Sequence, residues 1–423
     1  MRPNQPLIFI PGLFGSMGDE IIPGTGDFSF GPAGMVYNEF IDQLESVGYK
    51  KDENLFVCFY NWKKRCGVNA QKYLFETIRK AKKTTGSHKV DIIAHSLGGL
   101  VSRSYICSKQ YGNDIDKLIL VGCPNAGATD AYYAWVEGKV PERTGSRPFL
   151  HHVILEGFLT IGSYQKSSMR EYIHEEFESI SELLPSSDYG KYLYYLDENH
   201  IMKYISYNNL KYKNSFLDQL NQMNGIYLRK GIKSFLVYGS GNSTGKSLQL
   251  EKAIFDESGN ISDYGKVIGK IDSVDGDGTV LKKSAEGMIG SRYCIENASH
   301  SGLLMSGFDI LSKILTGNIR SKYVKTRIRE KEYLGIVILG KGSINLNVNR
   351  RNYILKNKFE MKDLYYFEKE NVKWIILEAN KKHKQFLTYF SSPNEQVEII
   401  ISRQDKIERY ARNTSEKGYI KIY

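Results

Sequence analysis

Three residues whose types can together move an acyl group occur in this 423-residue chain: a serine at a bend, an acid between two glycines and a loop histidine. Ser96 stands in Ala94-His95-Ser96-Leu97-Gly98-Gly99. A hydroxyl is a poor nucleophile until a base takes its proton, and an imidazole can take and return one near neutral pH. His300, in Asn297-Ala298-Ser299-His300, is the candidate base. Asp277, in Asp275-Gly276-Asp277-Gly278-Thr279-Val280, is the candidate acid, which would accept from the other ring nitrogen, fix the tautomer and stabilise the imidazolium. Glycines on both sides leave its backbone free to aim the carboxylate. Asp275 and Asp272 are its rivals, and any of these aspartates could simply initiate a turn.

The elements that must position these side chains are legible around them. Val90-Asp91-Ile92-Ile93-Ala94-His95 reads as a buried strand, and the residues after Ser96 have helical spacing. So tight a reversal strains the serine backbone and lifts its Oγ above the sheet, with Ala94, Gly98 and Gly99 leaving room for strand and helix to cross. The new helix would present the backbone N–H of Leu97 to an oxyanion. Upstream, Leu7-Ile8-Phe9-Ile10-Pro11-Gly12-Leu13 reads as a strand ending in a turn that nominates the N–H of Leu13 as second donor; the plain alternative is a strand-ending turn. Further strands are expected at 55–60, 117–121, 234–239 and 292–296, with helices at 37–47 and 69–82. Strands and helices alternating in this way imply a mostly parallel sheet covered on both faces.

Composition fixes the broad class. Hydrophobic residues make up 41% and charged residues 25%, as in an ordinary globular protein. The net charge of +11 is unevenly placed: residues 321–423 hold 22 Lys and Arg against 12 Asp and Glu, and residues 1–320 are near neutral. A domain boundary near residue 320 follows. Five cysteines at irregular spacing suit neither a disulfide framework nor a metal site, and point to a reducing compartment. No leader is expected ahead of the first strand and no apolar run reaches membrane-spanning length, so a cytoplasmic location, with peripheral membrane contact as an option, is expected. No cofactor and no metal are expected.

In the order Ser96, Asp277, His300 the chain resembles the lecithin:cholesterol acyltransferase family and its lipase-like relatives among the α/β-hydrolases. Ile10-Pro11-Gly12-Leu13-Phe14-Gly15-Ser16 is similar to the family's oxyanion turn. Phe59-Tyr60-Asn61-Trp62-Lys63 is similar to its aromatic Y-D-W-R string, Gly122-Cys123-Pro124-Asn125-Ala126-Gly127 to its G-A-P-x-G-G loop, and Tyr238-Gly239-Ser240-Gly241 to its Y-G-x-G turn. The resemblance covers roughly residues 5–310 and implies an α/β-hydrolase fold that hydrolyses or transfers the acyl groups of lipid esters through an acyl-serine. Asn61 and Lys63 depart from the string and remove its salt bridge, and Ala126 replaces a glycine. Substrate identity is therefore open, and a sterol acceptor does not follow.

Two regions lie outside that alternation. Residues 130–229 are mostly helical in pattern and rich in tyrosine, with an apolar piece at 149–161; they read as a cap insertion, which would suit a lipid substrate or serve plain packing. Residues 321–423 show short β-branched runs at 336–339, 344–348, 374–377 and 396–401, expected to form a β-sandwich-like domain. Its positive charge is either a solvated face or an attachment to anionic membrane; nucleic acid is not expected. Ser240-Gly241-Asn242-Ser243-Thr244-Gly245-Lys246-Ser247 imitates a phosphate loop but lacks its first glycine. The rival functions are an esterase of soluble or protein-linked acyl groups, and an anionic-surface binding protein whose hydrolase fold is secondary.

Overall fold

The structure, a computed structural model, describes residues 5–140, 150–162, 168–263, 265–317, 332–341, 343–348, 351–379, 385–390, 395–403, 406–414 and 418–421. The boundary expected near residue 320 and Phe149 of the apolar piece lie outside the described residues. The chain divides into two compact units. The first comprises Met1–Leu13, Glu39–Lys139 and Arg170–Ile328; the second comprises Phe14–Asn38, Val140–Met169 and Arg329–Tyr423.

Twelve strands of the first unit are numbered in chain order: β1 (Leu7–Ile10), β2 (Leu55–Val57), β3 (Val90–His95), β4 (Ile115–Val121), β5 (Leu193–Leu196), β6 (Met202–Tyr204), β7 (Lys233–Ser240), β8 (Thr244–Leu250), β9 (Ile254–Phe255), β10 (Ile261–Asp263), β11 (Val267–Ser273) and β12 (Ser291–Glu296). Six of them form one sheet in the order β12-β7-β4-β3-β1-β2, every pair parallel. Parallel strands need crossovers, and helices supply them: Phe75–Thr85 leads into β3, Leu97–Cys107 joins β3 to β4. Strands covered on both faces can be apolar throughout, and β1 and β3 are buried at every position. This is the α/β-hydrolase fold.

The order of the sheet decides where a ligand can sit. From β1 the chain steps outward to β2, then crosses to the other side of β1 and builds β3, β4, β7 and β12 away from it. Connections diverge at that reversal, and the crevice at the carboxyl ends of β1 and β3 is the expected binding place. The Pro11–Leu13 turn follows β1, and Ser96 follows β3.

One stretch differs from the sequence reading. The stretch 130–229 has helices at Met169–Glu176 and Ser215–Gln222 but also the strand pair β5–β6, which joins β8 and β11 in a four-stranded sheet. Tyrosines on these short strands pack side by side, as Tyr194 and Tyr204 do at 5.7 Å, so the aromatic content that resembled helix core belongs partly to a sheet. The imitation phosphate loop is no phosphate loop in the structure either. Lys246 and Ser247 lie within β8, and a phosphate loop needs a helix N-terminus at that point.

The second unit is described by itself. Its C-terminal strands are all antiparallel, in a six-stranded and a four-stranded sheet. Glu332–Leu339 sits centrally in the larger, between Val372–Ala379 and Glu395–Arg403. Leu334, Ile336, Ile338, Ile375, Leu377, Ile399 and Ile401 form a core by period-two alternation. The apolar helix Leu150–Gly162 belongs to this unit and packs on Glu332–Leu339. There Gly157 admits the Trp374 indole, which a Cβ would meet at 2.5 Å, and the Phe158 ring stands edge-on to Trp374 at 5.2 Å.

Candidate active site

Ser96 has φ 53° and ψ −124°, a backbone conformation that an L-residue adopts only under strain, of order 1–3 kcal/mol. The bend it makes is held from both sides. Its N–H donates to the Val121 carbonyl on β4 at 2.9 Å, and its own carbonyl accepts from Gly99 N–H at 2.9 Å as the helix begins. Gly98 sits where the helix crosses the end of β1: a Cβ there would lie 2.5 Å from the Pro11 carbonyl oxygen and 2.7 Å from that of Ile10. Both are backbone atoms and cannot move aside.

His300 and Asp277 arrive from loops at the far end of the sheet. His300 Nε2 is 3.0 Å from Ser96 Oγ, and its Nδ1 is 2.8 Å from Asp277 Oδ2. With a carboxylate on the Nδ1 side, Nδ1 carries the proton and Nε2 accepts from the serine hydroxyl. The other carboxylate oxygen of Asp277 accepts from the backbone N–H groups of Thr279 at 3.0 Å and Val280 at 2.7 Å. The acid is 1% exposed and the histidine 6%, while the serine is half-buried and can be reached. The two rivals for the acid are otherwise engaged: Asp272 accepts from Ser243 Oγ at 2.9 Å and faces Lys270, and Asp275 is exposed.

The surrounding strings act as supports. Gly122, at φ 59°, carries the chain past the His300 ring, which a Cβ would meet at 3.1 Å. The Tyr60 hydroxyl donates to the Pro11 carbonyl at 2.9 Å, bracing the turn that contains Leu13. Trp62 stacks on Phe177 at 5.6 Å, and Lys63 pairs with Glu176 at 3.3 Å. Lys63 thus finds its ion-pair partner in a different segment. Burial lowers the Lys63 pKa, and the Glu176 charge opposes that shift.

Sequence reasoning passed over two supporting residues. His95 Nε2–H donates to the backbone carbonyl of His300 at 3.0 Å, and the two rings lie 4.9 Å apart. Burial pushes the His95 imidazole down to about 3, helped by repulsion from His300 and opposed by the hydrogen bond to that carbonyl. It is neutral in the fold. Thr244, which stood inside the imitation phosphate loop, accepts from Gly278 N–H at 2.9 Å and so ties down the acid turn. Nothing in a string of residue types signals either role, since both act through backbone atoms far away in sequence.

Residues 28–224 match the family model of lecithin:cholesterol acyltransferase. The acyltransferase-like segment holds Ser96 and the aromatic string; Asp277 and His300 lie beyond it. Among solved structures, the chain is similar to the Bacillus licheniformis lipase BlEst2 in its mature form, at 15% identity over 74% of this chain and 92% of that one, with a TM-score of 0.40. The propeptide form of that lipase aligns at 13% identity over 100% of this chain and 94% of that one, TM-score 0.40. The carboxylesterase CesB of Bacillus subtilis aligns at 10% identity over 75% and 85%, TM-score 0.31. Among the described residues, no cluster of His, Cys, Asp and Glu could hold a metal ion, and no helix is long and apolar enough to cross a membrane.

Proposed function

We propose that this protein is a serine-dependent lipid ester hydrolase or O-acyltransferase working through an acyl-serine. The observation that carries the reading is the 3.0 Å approach of Ser96 Oγ to His300 Nε2, with Asp277 at 2.8 Å behind it. Ser96 Oγ attacks the ester carbonyl carbon while its proton passes to His300 Nε2. The carbonyl oxygen becomes an oxyanion held by the N–H groups of Leu97 and Leu13. Collapse breaks the bond to the alkoxy oxygen, which leaves with the proton from Nε2. Water or an alcohol then gives its proton to Nε2 and attacks the acyl carbon, and that proton passes to Ser96 Oγ as its bond to the acyl carbon breaks.

Residues 1–320 form the catalytic domain in this reading, with a cap at about 130–229. Residues 321–423 are a basic domain that meets anionic membrane from the cytoplasmic side as a peripheral contact. The lipid class draws on the match to the acyltransferase family over 28–224. The test is Ser96→Ala: kcat on p-nitrophenyl and glycerolipid esters falls by about 10³-fold or more, and a fluorophosphonate probe no longer labels the chain. Turnover unchanged in that variant removes the proposal.

A further inference from the structure

The first unit contains a recess of about 330 Å³ that the chemistry above does not use; its lining includes none of Ser96, Asp277 and His300. It is strongly basic. Among the described residues, four cations line it, Lys139, Arg170, Lys211 and Lys266, against the carboxylate of Glu137. That carboxylate is already committed, since it accepts from the Val267 N–H and pairs with Lys139 Nζ at 3.3 Å. The Arg170 guanidinium lies 5.6 Å from the centre of the Tyr212 ring and donates to the Tyr212 hydroxyl, and Lys211 Nζ lies 5.7 Å from the same ring. One aromatic ring thus has two cations near it, and all three residues line the recess.

The four cations come from separate segments: the turn after Tyr133–Glu137, the helix Met169–Glu176, the segment before Ser215–Gln222, and the approach to β11. Bringing like charges into a concave site costs self-repulsion, and the same concavity focuses their field on whatever anion enters. A guanidinium fork with nearby ammonium groups matches the oxygens of a phosphate, and a net lining charge near +3 suits a dianion better than a single carboxylate. The volume is at the small end of the ~300–1,000 Å³ of ligand pockets, enough for a polar headgroup without acyl chains.

We propose that this recess binds a small phosphate-bearing anion, either a free phosphomonoester or the headgroup of a phospholipid. Calorimetry on the full-length protein tests it, with glycerol 3-phosphate and inorganic phosphate as probes and glycerol as the neutral control. Both phosphates bind, glycerol does not, and Arg170→Gln and Lys266→Gln each weaken binding about tenfold, the loss of one charge-assisted hydrogen bond. Flotation with phosphatidylglycerol against phosphatidylcholine vesicles separates the sources. Where the ligand is a lipid headgroup, the two substitutions lower capture by the anionic vesicles and glycerol 3-phosphate competes; where it is a free phosphomonoester, capture is unchanged while the calorimetric loss remains. Retained hydrolysis of a soluble short-chain ester shows that the variants are folded, and phosphate binding persists in Ser96→Ala whatever becomes of the esterase reading. Binding of glycerol 3-phosphate that is absent, or equal in wild type and both variants, overturns the proposal.

Discussion

His95 is a buried imidazole beside another imidazole, and only one of the two can be the proton carrier. Burial keeps His95 neutral, with its pKa pushed down to about 3, so it acts as a fixed donor to the His300 carbonyl. Its sign in stability follows directly. The unfolded chain takes up a proton at an ordinary histidine pKa near ~6.5, the folded chain only near 3, so the native state loses up to about 1.4 kcal/mol per pH unit as pH falls between those values. His95→Gln, which keeps a donor but cannot titrate, is expected to flatten that part of the acid-unfolding curve while retaining most of kcat. His95→Phe leaves the His300 carbonyl buried without this donor and is expected to cost about 1–3 kcal/mol and lower kcat. Denaturant titrations from pH 3 to 8 on the three proteins, with matched kinetics, check both; identical acid slopes in wild type and His95→Gln refute the assignment.

At the scale of elements, the sequence exposes what a single segment determines and hides what two segments share. The strand Val90–His95 and the helix Leu97–Cys107 were readable because apolar periodicity changes at Ser96, and the small residues flanking it announce a crossing. The short strands β5, β6 and β8 are not, because the sheet that unites them depends on the pairing of Leu193 with Leu248 across distant sequence, and because tyrosines suit helix and sheet alike. The same division holds in the site. Ser96, Asp277 and His300 were named from their types and settings, whereas His95 and Thr244 matter through backbone atoms across the fold. The crossing itself gives a test. A methyl at Gly98 would press on the Pro11 and Ile10 carbonyls, so Gly98→Ala must push the helix away from the turn bearing Leu13. Overpacking of this kind costs about 1–3 kcal/mol, and activity should fall further than stability because both candidate oxyanion donors flank the contact. Gly86→Ala, at an exposed helix end with open space around it and φ 71°, is the control: it strains a cap without touching the site, and is expected to lower the melting temperature while leaving kcat near wild type.

For the molecule as a whole, charge asymmetry is the property that survives from sequence to function, because it needs no knowledge of the fold. Nearly all of the +11 lies in residues 321–423. Part of it is consumed internally: Lys373 is buried, donates to the Gly340 carbonyl at 3.0 Å and faces Glu368 at 3.6 Å, and Lys358 pairs with Glu360 at 3.1 Å. The exposed lysines of this region include Lys341, Lys356, Lys362 and Lys369. Interfacial attraction by such residues contributes about 1 kcal/mol each and is screened as ionic strength rises. The full-length protein is therefore expected to float with phosphatidylglycerol vesicles at low salt and to be released by several hundred millimolar salt, on the order of the concentration at which the screening length falls to a few ångströms. Changing these four lysines to glutamine should weaken capture and shallow its salt dependence while hydrolysis of a soluble ester stays unchanged, since the candidate site lies in the other unit. If capture by anionic vesicles is the same for the quadruple variant, or indifferent to salt, the excess charge of residues 321–423 is a solvated surface and the enzyme reaches its substrate by another route.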